Sequence, residues 1–127
     1  MPLEITLREQ VSIPLEVDPI CLETVRELTA RRRAGLFDET FRHKIDWGLG
    51  FILNSNQYGE ETLPYRFSRY SSAETFGHGG AQSAMGFADP EKKLVVAWVA
   101  NGRPGEPRHN QRNRAINDAI YTDLGFD

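Results

Sequence analysis

The residues best suited to chemistry lie between positions 76 and 90. Phe76-Gly77-His78-Gly79-Gly80 sets one imidazole among glycines, and Gly86-Phe87-Ala88-Asp89-Pro90 follows shortly after. An imidazole exchanges a proton near neutral pH. Glycine backbone, with no Cβ, can lie close against a reacting carbonyl. The same run also reads as a tight lead-in to a strand, with His78 in a turn. Metal chemistry fits poorly. His43, His78 and His109 are far apart in sequence, and Cys21 is the single cysteine, so no zinc-type ligand spacing occurs. No metal or cofactor is expected. Ser71, Ser72 and Ser83 are nucleophile candidates by residue type only, because a serine hydroxyl without an adjacent base reacts poorly. Glu74 is near His78 in sequence, but a pairing between them needs geometry.

A wall of this kind needs a sheet to carry it. Residues 81–88 and 94–100 read as apolar strands, joined as an antiparallel hairpin by Asp89-Pro90-Glu91-Lys92-Lys93. Pro90 has no donor for a ladder and belongs in the turn. Asp89 can hydrogen-bond nearby backbone there. Residues 47–53, with Leu49, Phe51 and Leu53 alternating, predict a further strand whose glycines permit a bulge. Residues 54–72 are polar and without period, which predicts a long irregular loop suited to a pocket rim.

Helices are expected on either side. Asp18 as a cap, Pro19 at the first helical position, and Leu22, Val25 and Leu28 at three-residue spacing predict an N-terminal helix that Gly35 stops. Cys21, inside that pattern, is expected as a buried thiol, and Arg31-Arg32-Arg33 as a solvated helix end. A second helix starts at His109 or Asn110 and ends at Gly125. Ala115, Ile116, Ala119, Ile120 and Leu124 line its expected apolar side, while Arg112, Asn113, Asn117 and Asp118 fall on another. Arg103, Arg108, Arg112 and Arg114 are assigned to a solvated loop and helix surface. Leu3, Ile5 and Leu7 alternate weakly as a strand, and residues 13–17 read as an edge or extended linker between prolines. The fold class is therefore α+β, an antiparallel sheet flanked by N- and C-terminal helices. Residues 1–44 form its N-terminal extended segment and helix, and 45–127 its sheet and terminal helix.

Composition narrows the functional classes. The 127 residues suit one domain, with 39% hydrophobic and 26% charged residues. A net charge of -3 carries no basic signature of nucleic-acid binding. No run approaches the roughly 20 apolar residues of a membrane helix. A soluble protein is expected, cytoplasmic if Met1 is the true start.

Taken in order, Trp47-Gly48-Leu49-Gly50-Phe51, Phe76-Gly77-His78-Gly79-Gly80, Gly86-Phe87-Ala88-Asp89-Pro90 and an apolar strand ending near Asn101 resemble the C-terminal part of the beta-lactamase-related serine hydrolases. That family includes class C beta-lactamases, penicillin-binding proteins, D-aminopeptidases and related carboxylesterases. The resemblance covers residues 45–125 and implies an incomplete beta-lactamase-like fold. The family's three-residue strand motif, commonly Lys-Thr-Gly and often His-x-Gly in esterase-like branches, falls on His78, Gly79 and Gly80. By resemblance, His78 faces the catalytic pocket, where its imidazole hydrogen-bonds substrate or proton-relay residues. Ala81 offers a backbone N–H to the oxyanion hole, and Ser83 lines the substrate wall. Asp89 falls at a turn position rather than at a triad acid.

The departure is as informative as the match. The family acylates the serine of a Ser-x-x-Lys motif and uses a Tyr-x-Asn motif, and neither occurs in this sequence. The resulting expectation is a C-terminal fragment or truncated homologue of a serine hydrolase for esters, beta-lactams or peptide amides, inactive alone. Its partners would be a small ester or amide substrate in the intact enzyme, a separate N-terminal fragment, or another copy of itself. The alternative is a non-catalytic binding or assembly protein derived from the same fold.

Overall fold

In the computed structural model, which describes residues 20–127, the elements run α1 (Leu22–Thr29), β1 (Phe37–Asp38), β2 (His43–Lys44), β3 (Ile52–Leu53), β4 (Phe76–Gly80), β5 (Ala84–Asp89), β6 (Leu94–Val99) and α2 (Glu106–Asp123). β1 and β2 form a small antiparallel pair, and the other strands form one antiparallel sheet in the order β3-β4-β5-β6. The architecture is α+β, with one helix before the strands and one after them among the described residues. Among the described residues no helix is long and apolar enough to cross a membrane. The expected cap and first turn at Asp18 and Pro19, and the strands at residues 3–7 and 13–17, lie outside the described residues.

The β5–β6 hairpin forms as its sequence predicts. Its turn closes with the Lys93 N–H on the Pro90 carbonyl at 3.3 Å. The strand expected at residues 81–88 divides differently. Phe76–Gly80 is itself a strand, paired from Phe76↔Ala88 to Gly80↔Ala84, and β5 begins only at Ala84. Ala81 and Gln82 both take positive φ, 31° and 65°, as a tight primed turn requires. Ser83 therefore lies in the turn and not within the strand, with its N–H on the Gly80 carbonyl at 2.8 Å.

The predicted strand at 47–53 is mostly a reversal. Gly48 donates its N–H to the Phe51 carbonyl at 2.9 Å, Gly50 sits at φ 82°, and only Ile52–Leu53 pair with β4. Leu49 is consequently exposed rather than on a buried face with Leu53. A Cβ at position 48 would lie 2.4 Å from the Leu28 carbonyl, so glycine is what lets this reversal lie against α1.

α1 is shorter than expected and buries none of its residues. Cys21 is its N-cap and is exposed, correcting the buried-thiol expectation. The helix ends at Thr29 because Ala30 turns extended (ψ 138°) and the next N–H groups leave the helix. Arg32 and Arg33 donate theirs to the Trp47 carbonyl at 2.9 and 3.1 Å. Gly35 sits beyond the helix in a positive-φ bend, its N–H on Asp46 Oδ1 at 2.8 Å. The arginine run is only partly the solvated helix end expected: Arg32 is exposed and pairs with exposed Glu27. Arg31 pairs with buried Asp46 and donates to the Asn54 and Ala73 carbonyls, and Arg33 pairs with Asp38 at 2.8 Å.

α2 begins at Glu106, earlier than predicted, with Pro107 in the first turn. Its end matches the prediction. Gly125 is left-handed, and Gly125 and Phe126 donate N–H groups to the Thr122 and Tyr121 carbonyls at 3.0 and 2.9 Å, a Schellman stop. Its buried face does not match. His109, Asn113, Asn117 and Tyr121, four residues apart, are buried, while Ala115, Ala119 and Leu124 are exposed.

The physical reason lies in residues 60–70. That irregular stretch, expected as a rim, supplies core side chains Leu63, Tyr65 and Phe67. Its unpaired backbone must find partners when buried. Asn113 and Asn117 each donate a side-chain amide to the Arg66 carbonyl at 2.8 Å. Asn117 Oδ1 takes the Trp98 indole N–H at 3.0 Å. Arg66, 1% exposed, pairs with Glu60 and Asp118.

Asp89 ties the other end. Its buried carboxylate accepts from Ser72 Oγ (2.6 Å), the Ser72 N–H (3.0 Å), Tyr121 OH (2.7 Å) and the Lys92 N–H (3.2 Å). Burial opposes the charge, but these donors outweigh it and hold the carboxyl below its usual pKa.

Burial, together with the charge of Arg112 and against that of Glu106, lowers the His109 pKa below 6.5. The unfolded chain then takes up a proton at His109 before the folded one does. Stability should fall as pH drops below 6.5, by up to about 1.4 kcal/mol per unit until the folded pKa is reached. His109→Phe should show a correspondingly shallower loss between neutral and mildly acidic pH in urea titrations; equal slopes would refute the assignment. Separately, a Cβ on Gly79 would fall 2.0 Å from the Tyr65 ring, whereas one on Gly86 meets nothing within 4 Å. Gly79→Ala should destabilise by about 1–3 kcal/mol, and Gly86→Ala should stay within about 0.5 kcal/mol, measured by chemical denaturation.

Candidate functional site

The sheet has one covered face and one open face. Met85, Phe87 and Val96 point into the core, with Tyr121 of α2 stacked 6.3 Å from the Phe87 ring. On the opposite face, His78, Gly86, Val95, Ala97 and Val99 are exposed. A shallow depression of about 400 Å³ opens there, lined by His78, Gly80, Ala84, Gly86, Ala97 and Val99 among others.

His78 projects from the middle of β4. Its Nδ1 lies 2.6 Å from the Gly79 carbonyl. A carbonyl can only accept, so Nδ1 carries the hydrogen and Nε2 holds the lone pair in the neutral ring. The Trp47 ring flanks the imidazole at 5.7 Å between centroids. Sequence reasoning did not assign Trp47 this place. Its signal was the Trp-Gly-Leu-Gly-Phe run, whose tight reversal aims the indole back at β4.

The glycines have a packing explanation as well as a chemical one. Gly79 gives room to the Tyr65 ring on the covered face, and Gly77 admits the Gly86 carbonyl and Phe87, each within 2.6 Å of where a Cβ would stand. Tyr65 itself holds φ 53° and hydrogen-bonds Glu106 at 3.1 Å. Burial, with Glu106 adding to it, pushes its phenol up to about 12, so it stays protonated at neutral pH. No sequence signal marked Tyr65.

The remaining predicted residues cluster unevenly. Gly80, Ala81 and Ser83 continue directly from His78 into the turn, and Ala81 is exposed. The turn is clamped from α2. Gln82 Oε1 accepts the Gly105 N–H at 3.0 Å, and the Gln82 carbonyl accepts from Arg112 at 2.8 Å. Arg112 also lies 6.0 Å over the Trp98 ring, and Arg114 reaches the Leu63 carbonyl at 3.4 Å. Neither is a merely solvated cation, while Arg103 and Arg108 are exposed.

Neither Ser71 nor Ser72 is poised for attack. Ser72 donates to Asp89, and Ser71 donates to the Ser68 carbonyl at 2.7 Å while accepting from Asn54. Both hydroxyls serve the loop. His43 bonds Thr62 and the Lys44 carbonyl, and His109 is buried between the Tyr65 and Trp98 rings. Among the described residues no group of three His, Cys, Asp or Glu side chains could hold a metal.

Comparison with known proteins bears on the family and the fold. The sequence profile of the Beta-lactamase family matches residues 20–121, well over half of the chain. No curated protein sequence matches. The fold is similar to a beta-lactamase from Mycobacterium bovis, at 22% identity and TM-score 0.65, over 82% of this chain and 38% of that one. A penicillin-binding protein homologue from Caulobacter crescentus matches at 28% identity and TM-score 0.53, over 79% of this chain and 24% of its own. EstA from Arthrobacter nitroguajacolicus matches at 26% identity and TM-score 0.55, over 81% and 26%. This chain thus spans between about a quarter and two-fifths of the length of these structures. With a family profile covering strand, turn and terminal helix alike, the chain belongs to the Beta-lactamase family.

Proposed function

We propose that this chain is the substrate-side wall of a serine hydrolase acting on esters, beta-lactams or peptide amides, and that it does no hydrolysis alone. The observation that carries this reading is His78, exposed on the open sheet face with Nδ1 engaged by the Gly79 carbonyl. That bond makes Nε2 the acceptor nitrogen. In an intact hydrolase a serine oxygen would bond to the substrate carbonyl carbon as its proton passes to a base. His78 Nε2 would accept a hydrogen bond from the substrate or from the proton-relay residues. Ala81, in the turn beyond Gly80, would donate its N–H to the carbonyl oxygen as that oxygen gains charge. Gly79 and Gly80 keep the strand thin beside the reacting carbonyl. Ser83 would contribute to the wall. Collapse of the tetrahedral species would break the carbonyl bond to the alcohol or amine, which leaves with the proton held by the base, and water would then release the acyl group.

Inactivity alone rests on the missing nucleophile. No Ser-x-x-Lys occurs in the sequence, and the hydroxyls of Ser71 and Ser72 are tied into the loop. A non-catalytic binding or assembly role draws its own support from the uncovered sheet face.

The purified chain should give no acyl-enzyme burst with a chromogenic cephalosporin or a short-chain nitrophenyl ester. A stoichiometric burst abolished by one Ser→Ala change in this chain would overturn that reading. Mixing it with the Ser-x-x-Lys-bearing N-terminal part of a relative should restore turnover. His78→Ala should then reduce turnover by about 10²-fold or more, while a change at the exposed Arg108 of α2, Arg108→Ala, leaves it intact. Restored turnover indifferent to His78 would remove the residue from the site.

A further inference from the structure

We infer that Asp38 and Trp47 are positioning residues for His78: the carboxylate fixes the indole, and the indole holds the imidazole with Nε2 free. The catalytic consequence rests on the pocket role proposed for His78; the orientation of the ring does not.

His78 has unequal neighbours across β4, which lies between β3 and β5. On the β5 side its ladder partner is Gly86, where even a Cβ would meet nothing within 4 Å. The floor of Gly80, Ala84, Gly86 and Ala97 leaves the imidazole unobstructed in that direction. The Trp47 ring stands 5.7 Å from it, tilted by 51°, and does not line the depression. The indole therefore backs the imidazole from outside the depression. An unrestrained neutral histidine in water favours the Nε2–H form, and which nitrogen keeps the proton is set by the bond the other makes. The exposed Nδ1–H bond to the Gly79 carbonyl competes with water, so the ring must be held in place to keep it.

Trp47 is fixed at both ends. Its N–H bonds the Arg33 carbonyl at 2.9 Å, and its own carbonyl takes the Arg32 and Arg33 N–H groups. At the far end of the side chain, Nε1–H donates to Asp38 Oδ2 at 3.1 Å. The Phe41 ring packs against the indole at 5.9 Å between centroids. Asp38 is itself buried and immobile as an acceptor. Its Oδ2 also accepts from Arg33 at 2.8 Å, and its Oδ1 accepts the Thr40 and Phe41 N–H groups at 2.9 and 3.1 Å. A tied backbone and one hydrogen bond at the ring edge together select a single indole orientation. Neither Asp38 nor Trp47 lines the depression, so each acts through His78.

Imidazole nitrogen chemical shifts of the full chain, at mildly alkaline pH, report the tautomer directly. The His78 signals are those lost in His78→Gln. The unaltered chain should hold His78 predominantly as Nδ1–H. Trp47→Phe keeps a ring and the backbone bonds of residue 47 but offers Asp38 no N–H. Asp38→Asn leaves one oxygen to serve four donors. Each should lower the ratio of Nδ1–H to Nε2–H by about fivefold, the worth of one ordinary hydrogen bond. The double variant should lower it no further, because both changes break the same link. Trp47→Phe carries the test by itself if Asp38→Asn does not fold. A predominant Nε2–H form in the unaltered chain, a ratio unmoved by Trp47→Phe, or losses that multiply in the double variant would overturn the inference. In the complemented hydrolase both variants should also slow turnover. Turnover indifferent to His78→Ala would remove His78 from catalysis, whereas the tautomer ratios alone decide whether Asp38 and Trp47 hold its ring.

Discussion

One carbonyl oxygen organises much of this molecule. The Arg66 backbone sits inside the protein, in a stretch with no strand or helix to take its hydrogen bonds, and two asparagine amides of α2 converge on it. A buried acceptor left without donors would cost roughly 1–3 kcal/mol. Satisfying it from α2 dictates which way that helix faces. Once Asn113 and Asn117 point inward, Tyr121 follows on the same row, reaches Asp89 and stacks on Phe87. His109 comes inward a turn earlier and meets Tyr65 and Trp98. The loop and the helix are therefore one unit, and β4 and β5 lie against both.

This explains where the sequence was readable. The β5–β6 hairpin is local chemistry: apolar runs, Pro90, and an Asp89 that caps its own turn. The Gly125 stop is local too. α2's orientation is not, because it is set by an unpaired carbonyl elsewhere in the chain. Hydrophobic periodicity pointed at Ala115, Ala119 and Leu124 and had no way to value Asn113 above them. The 47–53 run misled for a related reason. Its alternation looks like a strand, but Gly50 at positive φ and the contact of Gly48 with Leu28 make it a reversal. His78 and its glycines were found by resemblance. The geometry adds that Gly77 and Gly79 answer to the core, a demand no single-sequence pattern expresses.

The two faces of β4 carry different obligations. Towards α2 the strand is filled to contact, and the glycines there are steric necessities. Towards the open side it presents an imidazole beside Trp47 and a floor of small residues. A catalytic wall needs this division, since a strand held rigidly from behind can hold a ring still in front. The resemblance to larger hydrolases and the lack of a Ser-x-x-Lys motif in the sequence are compatible for the same reason: the rigidity of this strand is internal to the chain.

The turn after Gly80 has a temporal side. Ala81 and Gln82 occupy backbone conformations that cost L-residues on the order of 1–2 kcal/mol each. Gly105 and Arg112 hold Gln82 by side chain and carbonyl. During synthesis the strand and its turn leave the ribosome before either of those residues. The clamp on Gln82 therefore closes only once Gly105 and the first turns of α2 have been made.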